Sequence, residues 1–209
     1  MTQNMVDDYG WSSSQGPQSC GYIAPRILEL LKHLNVRRVL DLGAGNGALC
    51  AQLKSLAYDV VGVEYDKAGV ALARTTHPTI SFYHFGVQDN PADLMAQEQA
   101  FDVVVSTEVI EHLFSPHLLP IYASSVLKQD GYLIVTTPYH GYLKNLALAI
   151  FAKWDHHHTA LWHGGHIKFW SKATLSKLLV ENGFQVVGFS GVGRLPYLWK
   201  SMVIVAKKI

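Results

Sequence analysis

The chain is short of cysteine, of net charge and of long apolar runs, and each shortage rules something out. Two cysteines, Cys20 and Cys50, in 209 residues cannot build a disulfide framework, so a reducing cytoplasm is the expected compartment. Seventeen Lys and Arg stand against sixteen Asp and Glu, a formal net charge of +1. That balance advertises neither a phosphate backbone nor an anionic membrane, and leaves nucleic acid unsupported as a partner. The longest apolar stretch, around Leu146 to Ala152, falls far short of the roughly 18 residues of a bilayer span, so no transmembrane segment is expected. The start, Met1-Thr-Gln-Asn-Met-Val-Asp-Asp, lacks the basic and then apolar regions of a signal peptide. Internal repeats and low-complexity tracts are also missing. What is plentiful is apolar: hydrophobic residues make up 49% and charged ones 16%, which suits a single domain over 1–209 with a sizeable core. Eleven histidines are many for this length.

Residues 1–34 divide into an arm and a helix. The arm holds Gly10, Ser12 to Ser14, Gly16 and Pro17, with Trp11 as its one large anchor. From Tyr22 onward Ile23, Ile27, Leu30, Leu31 and Leu34 recur at helical spacing. Three short β-branched runs follow, at 37–43, 58–64 and 101–106, in the pattern of strands buried on both faces. Helical stretches at about 46–57 and 66–75 alternate with them, which implies a parallel sheet with right-handed crossovers. A strand near 80–85, a helix near 115–127 and a strand at 132–137 continue the pattern until Pro138 ends it. Residues 139–170 break the rhythm as an insertion or lid: an apolar helix from Leu143 to Trp154, then a loop with His156, His157, His158, His163 and His166. Trp154, Trp162, Phe169 and Trp170 in that stretch suit either core or a flat substrate pocket. Ser171 is placed to cap a helix through about Asn182, with Gly183 as its stop. Runs at 184–189 and 202–206 read as closing strands, far enough apart for an antiparallel pair.

Asp41-Leu-Gly43-Ala44-Gly45-Asn-Gly47 follows a predicted strand and opens a predicted helix. Glycines there let the backbone turn sharply and approach a ligand, and the helix N-terminus offers unpaired N–H groups. Glu64 ends the next strand, 21 residues after Gly43, where a carboxylate accepts from both hydroxyls of a ribose. Together they imply a nucleoside-bearing cofactor. The glycines alone do not choose which, since Gly43-Ala-Gly45-Asn-Gly47-Ala48 also fits the dinucleotide fingerprint of a nicotinamide-dependent oxidoreductase. Asp41 suits a ligand with a free amino group and repels a pyrophosphate.

The set Val39-Leu-Asp41-Leu-Gly43-Ala-Gly45-Asn-Gly47, Val63-Glu64-Tyr65, Phe101-Asp-Val-Val and Gly131-Tyr-Leu-Ile-Val-Thr-Thr-Pro138 resembles the class I S-adenosylmethionine-dependent methyltransferases, over most of residues 22–209. The resemblance implies an α/β, Rossmann-like, doubly wound sheet of seven strands in the order 3-2-1-4-5-7-6. Its last strand would be antiparallel, and the helical, His-rich insertion would follow strand 5. S-adenosyl-L-methionine would be the cofactor. Gly43, Ala44, Gly45 and Gly47 would wrap its methionine part, Asp41 would sit near the amino group, Glu64 would hold the ribose and Tyr65 would lie against adenine. Thr107 joins this cofactor-binding set. For the adenine amino group the alignment leaves Asp89 or the backbone of Val87, and a helix cap before Pro91 is the alternative role for Asp89. Trp11 and Tyr22 would cover the cofactor as a lid.

After the fourth strand comes Ser106-Thr107-Glu108-Val-Ile-Glu111-His112. In a helical turn positions i, i+3 and i+4 share a face, so Glu108, Glu111 and His112 could converge on a divalent metal. The other reading keeps Glu111 as a cap and His112 as a lone general base. The string is similar to the metal-binding segment of two subgroups: the ubiquinone-biosynthesis O-methyltransferases and the methyltransferases of the small-RNA 3'-terminal ribose. In the RNA subgroup a further histidine precedes a Lys/Arg-Phe-x-Trp stretch, and His166-Ile-Lys168-Phe169-Trp170 is similar but one residue more compact. His166 is thus the candidate fourth ligand, with His163 behind it. The ligand set leaves Mg2+ or another divalent metal open. Near-neutral charge favours O-methylation of a small hydroxylated acceptor over RNA. A binding module with a relic cofactor fold is a third reading, and the intact Asp41, glycines and Glu64 argue against it.

Overall fold

In the computed structural model, residues 10–158, 161 and 164–209 are described; His163 and Trp162 lie outside them. Seven strands form one sheet in the order β3-β2-β1-β4-β5-β7-β6. They are β1 (Arg38–Leu42), β2 (Asp59–Glu64), β3 (Ser81–His84), β4 (Phe101–Thr107), β5 (Leu127–Pro138), β6 (Phe184–Val192) and β7 (Ser201–Lys208). Pairs from β3 to β5 are parallel, and β7 runs antiparallel to both β5 and β6. This is the doubly wound order that the family resemblance implies.

The β-branched runs explain the layering, because successive side chains of a strand point to opposite faces. Val39, Val103, Val105, Ile134, Val203 and Val205 pack with α1 (Cys20–Leu34), α2 (Ala48–Ser55) and α3 (Lys67–Thr76). Their neighbours Leu40, Val104, Leu133, Val135 and Ile204 pack on the other face with α5 (Leu118–Val126) and α8 (Lys172–Glu181). Helices on both faces explain why the central strands read as continuous apolar runs. The sheet order reverses between β1 and β4, which leaves a crevice at the carboxyl ends of those strands. No helix among the described residues is long and apolar enough to cross a membrane.

Several local expectations need correction. The 143–154 helix is two pieces, α6 (Tyr142–Ile150) and α7 (Trp154–His158), separated where Ala152 takes a positive φ of 50°. The histidine run is therefore helical and not loop. The helix that the alternative role for Asp89 implies is present as a short α4 (Pro91–Met95), but its cap is Asn90, whose side chain accepts from the Ala92 N–H. Asp89 instead accepts from the Gly86 N–H at 2.7 Å and closes the turn before it. Ser171 caps α8 as expected, and Thr174 completes a reciprocal capping box.

Candidate active site

The glycine loop is tied down before any ligand is considered. The Gly43 and Ala44 N–H groups both donate to the Val63 carbonyl, at 2.8 and 2.9 Å, so the loop is pinned to the end of β2. Gly43, Gly45 and Gly47 all have positive φ, which L side chains rarely adopt. At Gly45 a Cβ would also run into the Trp11 indole at 2.4 Å. The arm crosses the loop here, held by Asn46, whose side-chain amide donates to the Ser13 and Gln15 carbonyls at 2.8 Å each. Tyr22, paired with Trp11 as a lid residue in the sequence, lies under Lys200, with its hydroxyl beside Ser201 and in the field of Glu108 and Glu111.

Asp41 is buried at the end of β1. One carboxylate oxygen accepts from the Cys50 thiol at 3.3 Å, and the other, Oδ1, is buried with no hydrogen-bond partner. Burial, with Glu64 adding its negative charge, lifts the carboxyl pKa to about 7. An unpaired carboxylate oxygen of this kind fits an incoming ammonium. Glu64 is also buried and its pKa raised by desolvation, but both its oxygens are engaged: the Gly45 N–H and the Asp66 N–H donate at 2.7 Å each. Each carboxylate oxygen has a second lone pair to offer ribose hydroxyls. Tyr65 stacks near His84, with ring centroids 6.2 Å apart, where the loop after β2 meets β3. Thr107 ends β4 on the same edge of the sheet.

Beyond β4 the chain departs from the helical turn the spacing suggested. Glu108 has φ 54°, outside the 3-10 turn of Ile110–His112, so Glu108 does not share a helical face with Glu111 and His112. Its carboxylate accepts from the Thr136 and Ser201 hydroxyls instead, at 2.8 and 3.1 Å, joining β5 to β7. The residues that converge are Glu111, His112 and His166, each offering a ligand atom within 4.8 Å of the others. His166 is brought in by backbone bonds, because the Ile167 and Lys168 N–H groups both donate to the Glu111 carbonyl. The insertion is thereby stitched to the 3-10 turn, and the His112 and His166 rings meet edge-on at 4.9 Å.

The electrostatics of this trio are unusual. Glu111 is fully buried; the Thr137 hydroxyl lies beside its carboxyl group and His166 Nε2 is 4.0 Å from Oε1, but neither oxygen has a well-formed hydrogen bond. Desolvation first, then the charge of Glu108, pushes its pKa well up. Burial lowers the His112 pKa, and it lowers that of His166 to about 4 with help from His112. His112 Nδ1 is 2.7 Å from the Gly164 carbonyl, so that nitrogen carries the proton and Nε2 is the ring's acceptor nitrogen. One buried carboxylate and two neutral imidazoles form a donor set suited to a divalent cation.

Sequence reasoning missed Thr136, Ser201 and Lys144, which line the same end of the sheet. Nothing in a strand's hydroxyl or in one helical lysine marks it as facing a site. The missing signal is tertiary, since β7 must reverse before Ser201 reaches Glu108.

Comparisons with known proteins bear on the family and the fold. A family model described as a methyltransferase domain matches residues 18–188. The ubiquinone biosynthesis O-methyltransferase of Bradyrhizobium diazoefficiens is 28% identical over 177 residues, 82% of this chain and 68% of its own. The protein of that name from a Ruegeria species is 31% identical over 169 residues, 78% of this chain and 66% of its own. The chain thus spans about two thirds of the length of these relatives. Among solved structures, magnesium protoporphyrin IX methyltransferase from Synechocystis with bound S-adenosylhomocysteine superposes with a TM-score of 0.68. That match has 16% identity and covers 90% of this chain and 82% of the other. With a domain match over most of its length and the seven-stranded order in place, the chain belongs to the class I S-adenosylmethionine-dependent methyltransferases.

Proposed function

We propose that the enzyme methylates a hydroxyl oxygen of a small molecule with two adjacent oxygens, assisted by a divalent cation on Glu111, His112 and His166. The observation that carries this reading is the buried Glu111 carboxyl group, with no well-formed hydrogen bond and two imidazoles converging on it. A desolvated carboxylate is costly unless a cation joins it. The names of the relatives support oxygen as the nucleophile, and the net charge of +1 supports a small acceptor over RNA.

When bound, the cation supplies Lewis acidity that lowers the pKa of the attacking hydroxyl. The chain's own groups do the rest. Asp41 holds the methionine ammonium, the glycine loop admits the tail, Glu64 takes the ribose and Tyr65 lies beside the base. Burial lowers the His112 pKa, which favours the neutral ring as a ligand or as a base toward the hydroxyl proton. Trp11 closes the arm over the loop.

The test is transfer of labelled methyl from S-adenosylmethionine to a panel of catechols, sugars, lipids and RNA ends, with and without chelator. We expect transfer to a small vicinal diol, lost in chelator and restored by Mg2+, Mn2+ or Zn2+. Unchanged turnover in chelator removes the cation and leaves His112 as the base, whereas transfer to RNA ends alone overturns the small acceptor.

The arm gives a second prediction. Trp11→Ala is expected to weaken S-adenosylhomocysteine about tenfold by calorimetry, from loss of about 1–2 kcal/mol of covering apolar contact. Turnover at saturating cofactor should hold. An unchanged affinity would mean that the arm packs on the loop without covering the cofactor.

A further inference from the structure

Helix α6 is built inside out. Its only buried residue is Lys144, 5% exposed, while Tyr142, Leu143, Leu146 and Ile150 face outward. Desolvating an ammonium is costly, and the usual remedy is a carboxylate in contact. Lys144 has none within ion-pair distance among the described residues. Glu108, whose field does reach it, accepts from Thr136 and Ser201 and is not within ion-pair distance. An ammonium has three protons to donate, and Lys144 places one, on the Lys200 carbonyl at 3.3 Å.

The groups around it are incomplete in the same way. The His140 and His158 rings stack with centroids 5.6 Å apart, and each has its Nε2 buried with no partner. Asn145, one residue beyond Lys144, has its Oδ1 buried and its side chain beside the His140 ring, without a well-formed hydrogen bond between them. Burial and the nearby ammonium lower the His140 pKa to about 4, so this ring is a neutral hydrogen-bonding group at physiological pH. Lys144 donates to the Lys200 carbonyl, and the next residue, Ser201, donates to Glu108, so the lysine stands at the same end of the sheet as the turn that carries Glu111. A single buried cation beside neutral donors matches a ligand group with one negative charge and two oxygens.

We propose that Lys144, flanked by His140 and His158, is an acceptor subsite for a carboxylate, so that the molecule methylated is a hydroxy acid. The hydroxyl end lies toward Glu111, His112 and His166, and the carboxylate end lies on Lys144. The inference rests on the methyl-transfer reading above and narrows its substrate class. The competing role for Lys144, a counter-charge for Glu108 alone, makes no distinction between charged and uncharged acceptors.

The test uses 3,4-dihydroxybenzoate and catechol, which differ only in the carboxylate, titrated calorimetrically into protein saturated with S-adenosylhomocysteine at pH 7. The wild type is expected to favour the acid at least tenfold. Lys144→Met should bring the ratio of affinities to within twofold of one, and Lys144→Arg should keep most of it. Lys144→Gln is the neutral alternative if the methionine variant does not fold. A wild type that binds both compounds equally or neither, or a neutral variant that keeps the wild-type ratio, overturns the proposal. Methyl transfer to the same two compounds is measured separately. Acid-selective binding without transfer keeps the subsite and overturns the hydroxyl-methylation reading, and transfer without selectivity does the reverse.

Discussion

Asp41→Asn is expected to weaken S-adenosylmethionine roughly 10- to 100-fold at pH 8 while raising the melting temperature of the unliganded protein. The loss follows from removing the charged partner of the methionine ammonium, a charge-assisted contact of about 1.5–3 kcal/mol. The gain follows from linkage. The folded carboxyl titrates at about 7 against 3.8 for an ordinary aspartate, so between those values the folded state holds more protons than the unfolded one. Stability therefore falls as pH rises through that window, by an amount whose ceiling is about 4 kcal/mol. Asparagine keeps the shape and does not titrate, so the melting temperature of the variant should lose that part of its slope between pH 4 and 7. The part contributed by Glu64, raised in the same direction, remains. Cofactor affinity in the wild type should fall with acidification below about pH 7, because the ammonium must then displace a proton. Calorimetric titration across pH 5.5 to 8 with both proteins checks all of this. A variant that binds the cofactor as tightly as the wild type would remove Asp41 from the binding site.

The parts of the molecule legible in the sequence are those fixed by short-range pattern. β-branched runs bounded by Gly and by Glu64 gave the central strands, and the spacing from Gly43 to Glu64 gave the crevice, because both depend on one βαβ unit. Ser171 and its helix were readable from cap chemistry alone. Glu108 was misplaced because its spacing suits a helix, whereas its hydrogen bonds to Thr136 and Ser201 hold it in a left-handed conformation before the 3-10 turn starts. That is tertiary structure overriding periodicity. Asn90 and Asp89 compete for the same cap, and Pro91 at the first helical position settles the frame in favour of Asn90. Lys144 defeats the pattern altogether. An apolar helix with one lysine reads as core with the lysine outward, and the fold turns it the other way round.

Glu111→Gln is expected to lower turnover about 10³-fold while moving S-adenosylhomocysteine affinity less than threefold. The turnover loss corresponds to about 4 kcal/mol of transition-state stabilisation, the scale of losing a Lewis acid at the reacting oxygen. Cofactor affinity holds because Asp41, Glu64 and the glycine loop belong to the ends of β1 and β2, whereas Glu111 stands beyond β4. The unliganded variant should melt at or above the wild type, since an amide relieves the burial of an unpaired carboxyl group beside Glu108. A divalent cation at 100 times its dissociation constant should stabilise the wild type by about 2.7 kcal/mol, a rise of roughly 5–10 °C for a domain of this size. It should not move the variant. Glu108→Gln is the necessary contrast: its oxygens join β5 to β7 through two hydroxyls, so its turnover should fall less than tenfold. Equal losses in the two variants would return Glu108 to the ligand set that the family resemblance implies. A wild type whose melting temperature no divalent cation moves would leave Glu111 without a cation to hold and transfer its role to His112 as general base.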